Sequence, residues 1–516
     1  LGSDRDVLTA SFFIDLSALD PGPLTPPGAI SNMATTDVGG DFRVSLASDG
    51  EVSWYATWSS TVELSGAIGS DEDIFFARSG DNGTTWTNVI AVSDLALQDS
   101  GRDINPVIAF DGECVLVVAW ASQSVPGTGA ITDYDIFFTR SEDHGLTWSP
   151  SARVKTTGAS DAGDDGFFDV SLATDGQGTW VCAWDSTDPL SGSGTDYDIM
   201  YAVSTDNGVT WGTPRLLNST AASDTLPDTF CRLATDGNGR WIATWDSFEP
   251  IAGSGTDRDI MYAVSTDGGQ NWGMASPLGT NAAGDVGEDA LPSIAAGRGG
   301  RWMAVWQSND DLGGLGPDFD IVASTSSNGG MTWSAPVPVN THAPGDPGFD
   351  SEPWVATDGT GRWVVAWWST ADVGGMLGPD ADVLWSTSRD LGASWSDAAV
   401  LNSDADTDVS FERSVRVATN ARGTWLAGWE SSGDSASPFG ADFDVLQARF
   451  ALAPLCPGDT NGDQTVDFDD LNRVLELWAV TDADPEWDPS VDLVPSGRID
   501  FADLNAVLTA FGTYCD

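Results

Sequence analysis

An eight-residue box with Ser, Asp, Gly and Trp at its first, third, fifth and eighth positions recurs six times, at Ser79–Trp86, Ser141–Trp148, Ser204–Trp211, Ser265–Trp272, Ser326–Trp333 and Ser388–Trp395. The box tryptophans are spaced by 62, 63, 61, 61 and 62 residues, and the Asp position varies once, at Asn328. A period this regular restricts the chain to a repeat architecture, in which each unit buries its apolar surface against its neighbours. A second element, an apolar run followed by a Gly-rich turn and a Trp-containing strand, occurs seven times and closes on Trp58, Trp120, Trp184, Trp245, Trp306, Trp367 and Trp429. The unit count is therefore seven, one more than the boxes.

Within a unit, alternating residues such as Trp180, Cys182 and Trp184, bounded by Gly and Asp-Gly turns, mark short strands. The third unit divides into strands near 168–174, 179–185, 198–204 and 211–217. Four strands per unit, repeated radially, predict an all-β fold, a seven-bladed β-propeller over residues 1–452. The seventh unit ends near Phe450 without a box, and the apolar run Val7 to Leu16 is expected to supply its fourth strand and close the ring.

The boxes resemble the Asp-box, or BNR, repeats of sialidases and related propellers, over roughly residues 40–450. That resemblance implies a box placed between third and fourth strands, where Asp and Ser satisfy turn amides and Trp plugs into the blade. It also implies a carboxylate-binding trio of arginines. Arg43, in Phe42-Arg43-Val44-Ser45, and Arg232 and Arg416, on first strands at matching parity, are the positions that fit it as glycan carboxylate ligands. The family's nucleophile pair does not carry over: no tyrosine follows Arg416 before Tyr514, no glutamate lies near upstream of Arg232, and Ser45 stands where the family has proline. No catalytic residue is assigned, and the expectation is a protein that is not an enzyme.

Charge narrows the partners. Asp and Glu number 78 against 21 Lys and Arg, for a formal net charge of −57, which excludes nucleic acid as a partner. Only twelve of the acids are Glu, and Lys155 is the sole lysine. Asp-rich, Lys-poor surfaces suit a salty medium or many divalent-cation sites. Paired acids precede each third strand, from Asp71/Asp73 through Asp380/Asp382 to Asp442/Asp444, and further acids enter the first strands, such as Asp224 with Asp228, Asp285 with Asp289, Asp346 with Asp350 and Asp408 with Glu412. Close carboxylates repel unless hydrated or bridged by cations, so Ca2+ is one expectation there, and capping of turn amides is the other. The two histidines, His144 and His342, lie in different units, which leaves no His-centred triad or zinc cluster.

The composition changes at Cys456. Asp459, Asn461, Asp463, Thr465, Asp467 and Asp470 fall at positions one, three, five, seven, nine and twelve of an EF-hand-type loop followed by the helical run Leu471 to Trp478, with Gln464 at the position usually Gly. A second copy places Asp492, Ser496, Asp500 and Asp503 before the helix Leu504 to Phe511, without a side-chain oxygen at Val494. Such paired loop-helix units resemble dockerins, which implies Ca2+-dependent folding and docking onto a protein partner. Residues 453–516 are thus expected to form a dockerin-like calcium-binding domain, closed by a disulfide between Cys456 and Cys515. Cys182 and Cys231 could pair or remain buried thiols, and Cys114 is left over.

No run of 18 apolar residues exists, so no membrane-spanning helix is predicted. The calcium module, the salt-tolerant surface and the cysteines place the chain outside the cell or at its surface. The function expected first is a non-catalytic structural or adhesive propeller, held on a scaffold or joined to neighbouring copies, filaments among the outcomes, through the C-terminal module. A sialidase-like propeller that binds or hydrolyses extracellular glycans is the alternative.

Overall fold

The computed structural model describes residues 25–512 except 34–38, 65–68, 70, 95, 97–99, 125–130, 156–162, 190–195, 219, 222–224, 252–253, 283, 285, 313–314, 341–347, 360, 373–376, 378–379, 403–404, 406–408, 422, 433–441, 453–457, 459, 461–465, 482–490 and 492–497. Seven four-stranded antiparallel sheets form the seven blades of a β-propeller. Blade three is typical: Asp165–Thr174, Trp180–Ser186, Asp198–Ser204 and Arg215–Leu216 pair in chain order. The fourth strand is only two residues long in every blade, shorter than the sequence pattern suggests.

Each box is a closed hydrogen-bonded turn. In blade one the Ser79 hydroxyl donates to Asp81 Oδ1 at 2.8 Å and accepts the Gly83 amide at 2.9 Å, while Asp81 accepts the Thr85 amide and hydroxyl at 2.8 and 2.7 Å. These donors hold the Asp81 carboxyl below its usual range. Asn328 keeps the geometry by reversing one bond, its Nδ2 donating to the Thr332 hydroxyl at 2.8 Å. The box glycine has φ near 76° and faces the preceding blade so closely that a Cβ on Gly145 would sit 2.5 Å from Phe76.

The closing tryptophans of the second strands are all fully buried. The box tryptophans work between blades: Trp148, Trp211, Trp272 and Trp333 meet Phe76, Phe138, Tyr201 and Tyr262 of the preceding blade edge-on, at 5.0–5.9 Å between centroids. The expectation that the box Trp plugs into its own blade is refined accordingly.

Ring closure corrects a second expectation. The fourth strand of blade seven is Gly28–Ala29, with Gly28 opposite Gln447 and Ala29 opposite Leu446, extended by the Ile30 amide on the Val445 carbonyl at 3.0 Å. Because every fourth strand needs only two residues, the longer apolar run Val7 to Leu16 is not required for the role, and it lies outside the described residues.

Leu24–Arg449 form one compact unit, and the residues from Phe450 onward belong to another. In the latter, helix α1 (Phe468–Glu476) and helix α2 (Phe501–Ala510) pack around Val466, Val474, Val491, Ile499 and Val507. Each helix starts in a capping box, Asp467 with Asp470 and Asp500 with Asp503. No described helix is long and apolar enough to cross a membrane.

Candidate binding site at the propeller axis

Every first strand slips in register against the second near its start; in blade one the pairing passes from Phe42 opposite Ser59 to Ser45 opposite Thr57. The residue at the slip is left-handed: Arg43 (φ 57°), Asn105 (54°), Phe230 (54°), Leu291 (54°), Glu352 (52°) and Ser414 (55°), with Gly166 (70°) in blade three, where two further residues are inserted. A non-glycine residue in this conformation costs about 1–2 kcal/mol, and the bulge also takes its amide out of the ladder.

Side chains of the preceding blade recover those amides. Glu430 accepts the Arg43 amide at 2.7 Å, Asp246 accepts Leu291 at 3.1 Å, Gln307 accepts Glu352 at 3.5 Å, and Glu352 accepts Ser414 at 3.1 Å. Asp246, Gln307 and Glu430 each follow a closing Trp directly. A polar residue inside an otherwise buried strand was the available signal for them, and the sequence reading missed it.

Next to the bulges, strands from all seven blades enclose a cavity of about 120 Å³. Arg43, Arg232 and Arg416 all line it, with Asp169 and Trp354, neither of which sequence reasoning selected. Arg416 lies 4.4 Å and Arg232 5.3 Å from the Trp354 ring centroid, so the indole orients two guanidinium planes. Arg232 is ion-paired with buried Asp169. The Arg416 guanidinium donates to the Val415 carbonyl at 2.9 Å and makes no ion pair among the described residues. Burial, with the adjacent Arg232 charge, pushes Arg416 down to about 10. Burial acts on Arg43 in the same direction, but the charges of Glu352, Asp169 and Glu430 outweigh it and raise that group. Among the described residues no tyrosine lines the cavity.

No family model matches the chain, and no curated protein matches it in sequence. Solved structures similar to it include a Penicillium chrysogenum alpha-L-arabinanase, 14% identical over 67% of this chain and 94% of that one at a TM-score of 0.43. An ulvan lyase is 13% identical over 83% and 94% at 0.47, and a leech intramolecular trans-sialidase is 12% identical over 83% and 70% at 0.41. The expectation that the chain is not an enzyme is corrected here: the similar structures include an arabinanase, an ulvan lyase and a trans-sialidase, and the fold by itself does not decide for or against catalysis.

The other predicted positions are distributed as follows. Asp467, Asp470, Asp500 and Asp503 are described, and Asp470 and Asp503 are fully buried. Asp470 accepts the amides of Thr460 at 2.6 Å and Asp467 at 2.9 Å. Asp459, Asn461, Asp463, Thr465, Asp492 and Ser496 lie outside the described residues, as do Cys456 and Cys515, His342, Asp224, Asp285, Asp346 and Asp408. Cys182 and Cys231 are buried free thiols, and burial raises both.

Proposed function

We propose that the axial cavity binds the carboxylate of an acidic saccharide, with Arg416 as the principal ligand and Arg43 and Arg232 beside it. The observation that carries this reading is Arg416, a desolvated cation facing the cavity without a carboxylate of its own among the described residues, next to two further arginines. A guanidinium presents a fork of donors that matches a carboxylate. Titration calorimetry with sialyllactose and with uronate-containing oligosaccharides tests it. Arg416→Ala should weaken binding by about 10- to 100-fold, the equivalent of a charge-assisted hydrogen bond of ~1.5–3 kcal/mol. Trp354→Ala should weaken it less, through loss of guanidinium orientation. Equal affinity in the parent and the Arg416 variant would overturn the assignment, and turnover in the same mixtures would extend it to catalysis.

A second reading concerns the C-terminal unit, as a Ca2+-dependent docking module for a protein partner or a neighbouring copy. It is favoured by the twin capping boxes and by Phe468, Trp478, Phe501 and Leu508, which stand 43–69% exposed. Asp467, Asp470, Asp500 and Asp503 would hold the ions with the loop oxygens, a donor set of the hard type calcium takes. Light scattering in millimolar calcium and in excess chelator should show calcium-dependent oligomers; a monomer in both would remove self-assembly.

A further inference from the structure

Blades two and three meet around a buried amine. Lys155, the only lysine of the chain, follows the fourth strand of blade two, Ala152–Arg153, and its side chain is 2% exposed. Nζ lies 3.3 Å from Oδ2 of Asp165, the first residue of blade three, and pairs with Oδ2 of Asp188, just beyond that blade's second strand. Both carboxyls are enclosed, with side chains 0% and 1% exposed.

The other blades show that such a junction needs no cation. Two residues after the fourth strand, blade three has Asn218 and blade five Asn340. Asn218 Nδ2 donates to Asp198 at 2.9 Å and Asp228 at 2.6 Å, and Asn340 Nδ2 to Asp320 at 3.0 Å and Asp350 at 2.5 Å. A neutral amide thus bridges the two acids. In blade two the first of these acids, Asp135, is paired with Arg153 at 2.9 Å, and Lys155 reaches Asp165 and Asp188.

The surroundings of the two carboxyls differ in a way that suits a reaction between amine and acid. Asp188 Oδ1 accepts the Gly163 amide at 3.2 Å, a donor placed to stabilise negative charge that develops on this oxygen. Gly163 has no room for a side chain, since a Cβ would sit 2.4 Å from Asp188 Oδ1. The Asp188 amide donates to the Ser186 hydroxyl at 3.1 Å, and that hydroxyl donates to Asp165 Oδ1 at 2.5 Å. Burial pushes Asp165 up to about 6 in spite of the Lys155 charge, so this carboxyl can take and return a proton near neutral pH. Holding the reactants in contact replaces the entropy cost of their encounter, and a site closed to water protects the product from hydrolysis.

We propose that Lys155 and Asp188 form an intramolecular isopeptide bond that staples blade two to blade three, with Asp165 as the proton carrier. Nζ attacks Cγ of Asp188, and the N–C bond forms as the bond from Cγ to Oδ2 breaks. Oδ1, held by Gly163, becomes the amide oxygen. Oδ2 leaves as water with two of the three ammonium hydrogens, passed on through Asp165. One ammonium and one carboxylate become one amide and one water, with no oxidant or co-reactant.

Mass spectrometry of the intact, reduced full chain tests this. The parent should weigh one water less than its sequence. Lys155→Arg, which keeps a charge but offers no amine, should have its full sequence mass. Asp165→Asn retains both reacting side chains and should keep the water. Trypsin locates the bond, because it cuts after a lysine only when the amine is free. The linked chain should yield residues 154–215 as one peptide lacking one water, whereas an unlinked chain is cut after Lys155 into 154–155 and 156–215. The parent alone decides the main point, so a variant that fails to fold leaves the test intact. Full sequence mass in the parent, with cleavage after Lys155, would overturn the proposal and leave an ion pair. Loss of water from Asp165→Asn to the same extent would remove Asp165 from the reaction.

Discussion

Asp185 shows how much a single carboxyl must be held by its surroundings. It is fully buried on a second strand and accepts the amides of Phe168 and Asp169, at 3.2 and 2.8 Å. Burial nevertheless pushes it up to about 7. A carboxyl raised in the folded state favours the fold most below the ordinary carboxyl range near 4, and that contribution is lost as pH rises through the folded value. The parent should therefore lose ground against Asp185→Asn between pH 5 and pH 8. Thermal melts of both proteins across that window check it, and a pH-independent difference would remove Asp185 from the titrating set. The box acids behave in the opposite sense: Asp81 and Asp143 sit below their usual range because turn donors stabilise the anion, so their contribution fades only in strong acid.

At the scale of the element, the box is both a turn and a bridge. The Ser, Asp and Gly of the motif interact within four residues of one another, which is why the motif is readable as a string. The Trp contact is not local: Trp211 meets Phe138, 73 residues earlier in the numbering, across a blade boundary at 5.8 Å. Trp211→Ala should destabilise the propeller by about 2–4 kcal/mol. In a denaturant double-mutant cycle with Phe138→Ala the pair should couple by about 0.5–1.5 kcal/mol. Coupling near zero would return the box Trp to its own blade. The bulges belong to the same scale: six non-glycine residues in left-handed backbone around one axis persist because acceptors such as Glu430 and Asp246 recover the amides they free.

For the whole molecule, closure of the ring decides whether seven sheets behave as one body. The closing contacts span nearly the entire propeller sequence: Thr25 amide to Arg449 carbonyl at 3.0 Å, Ile30 to Val445 at 3.0 Å, and Gln447 Nε2 to the Gly83 carbonyl at 3.0 Å. Removing residues 25–31 exposes the edge of Asp444–Ala451, an unpaired row of backbone groups open to another chain. The truncated protein should melt at lower temperature and associate on size-exclusion chromatography. A monomer with the parent melting point would show that three strands suffice for blade seven.

Seven units, the box turns and the arginines Arg43, Arg232 and Arg416 were legible in the sequence, because repeat period, turn chemistry and strand parity are set by residues close in the chain. The partners of those arginines were not. Asp169 and Trp354 come to the cavity from blades three and six, and nothing local marks them as neighbours of Arg232. Closure by Gly28–Ala29 instead of the longer apolar run was likewise decided in three dimensions, since two residues satisfy the edge of the last sheet. The tertiary structure also gave Lys155 its meaning, by placing the chain's one ammonium group among carboxylates that each neighbouring junction repeats without it. Such pairings follow from which strands a closed ring brings side by side, a property of the assembled sheets and not of any one stretch of chain.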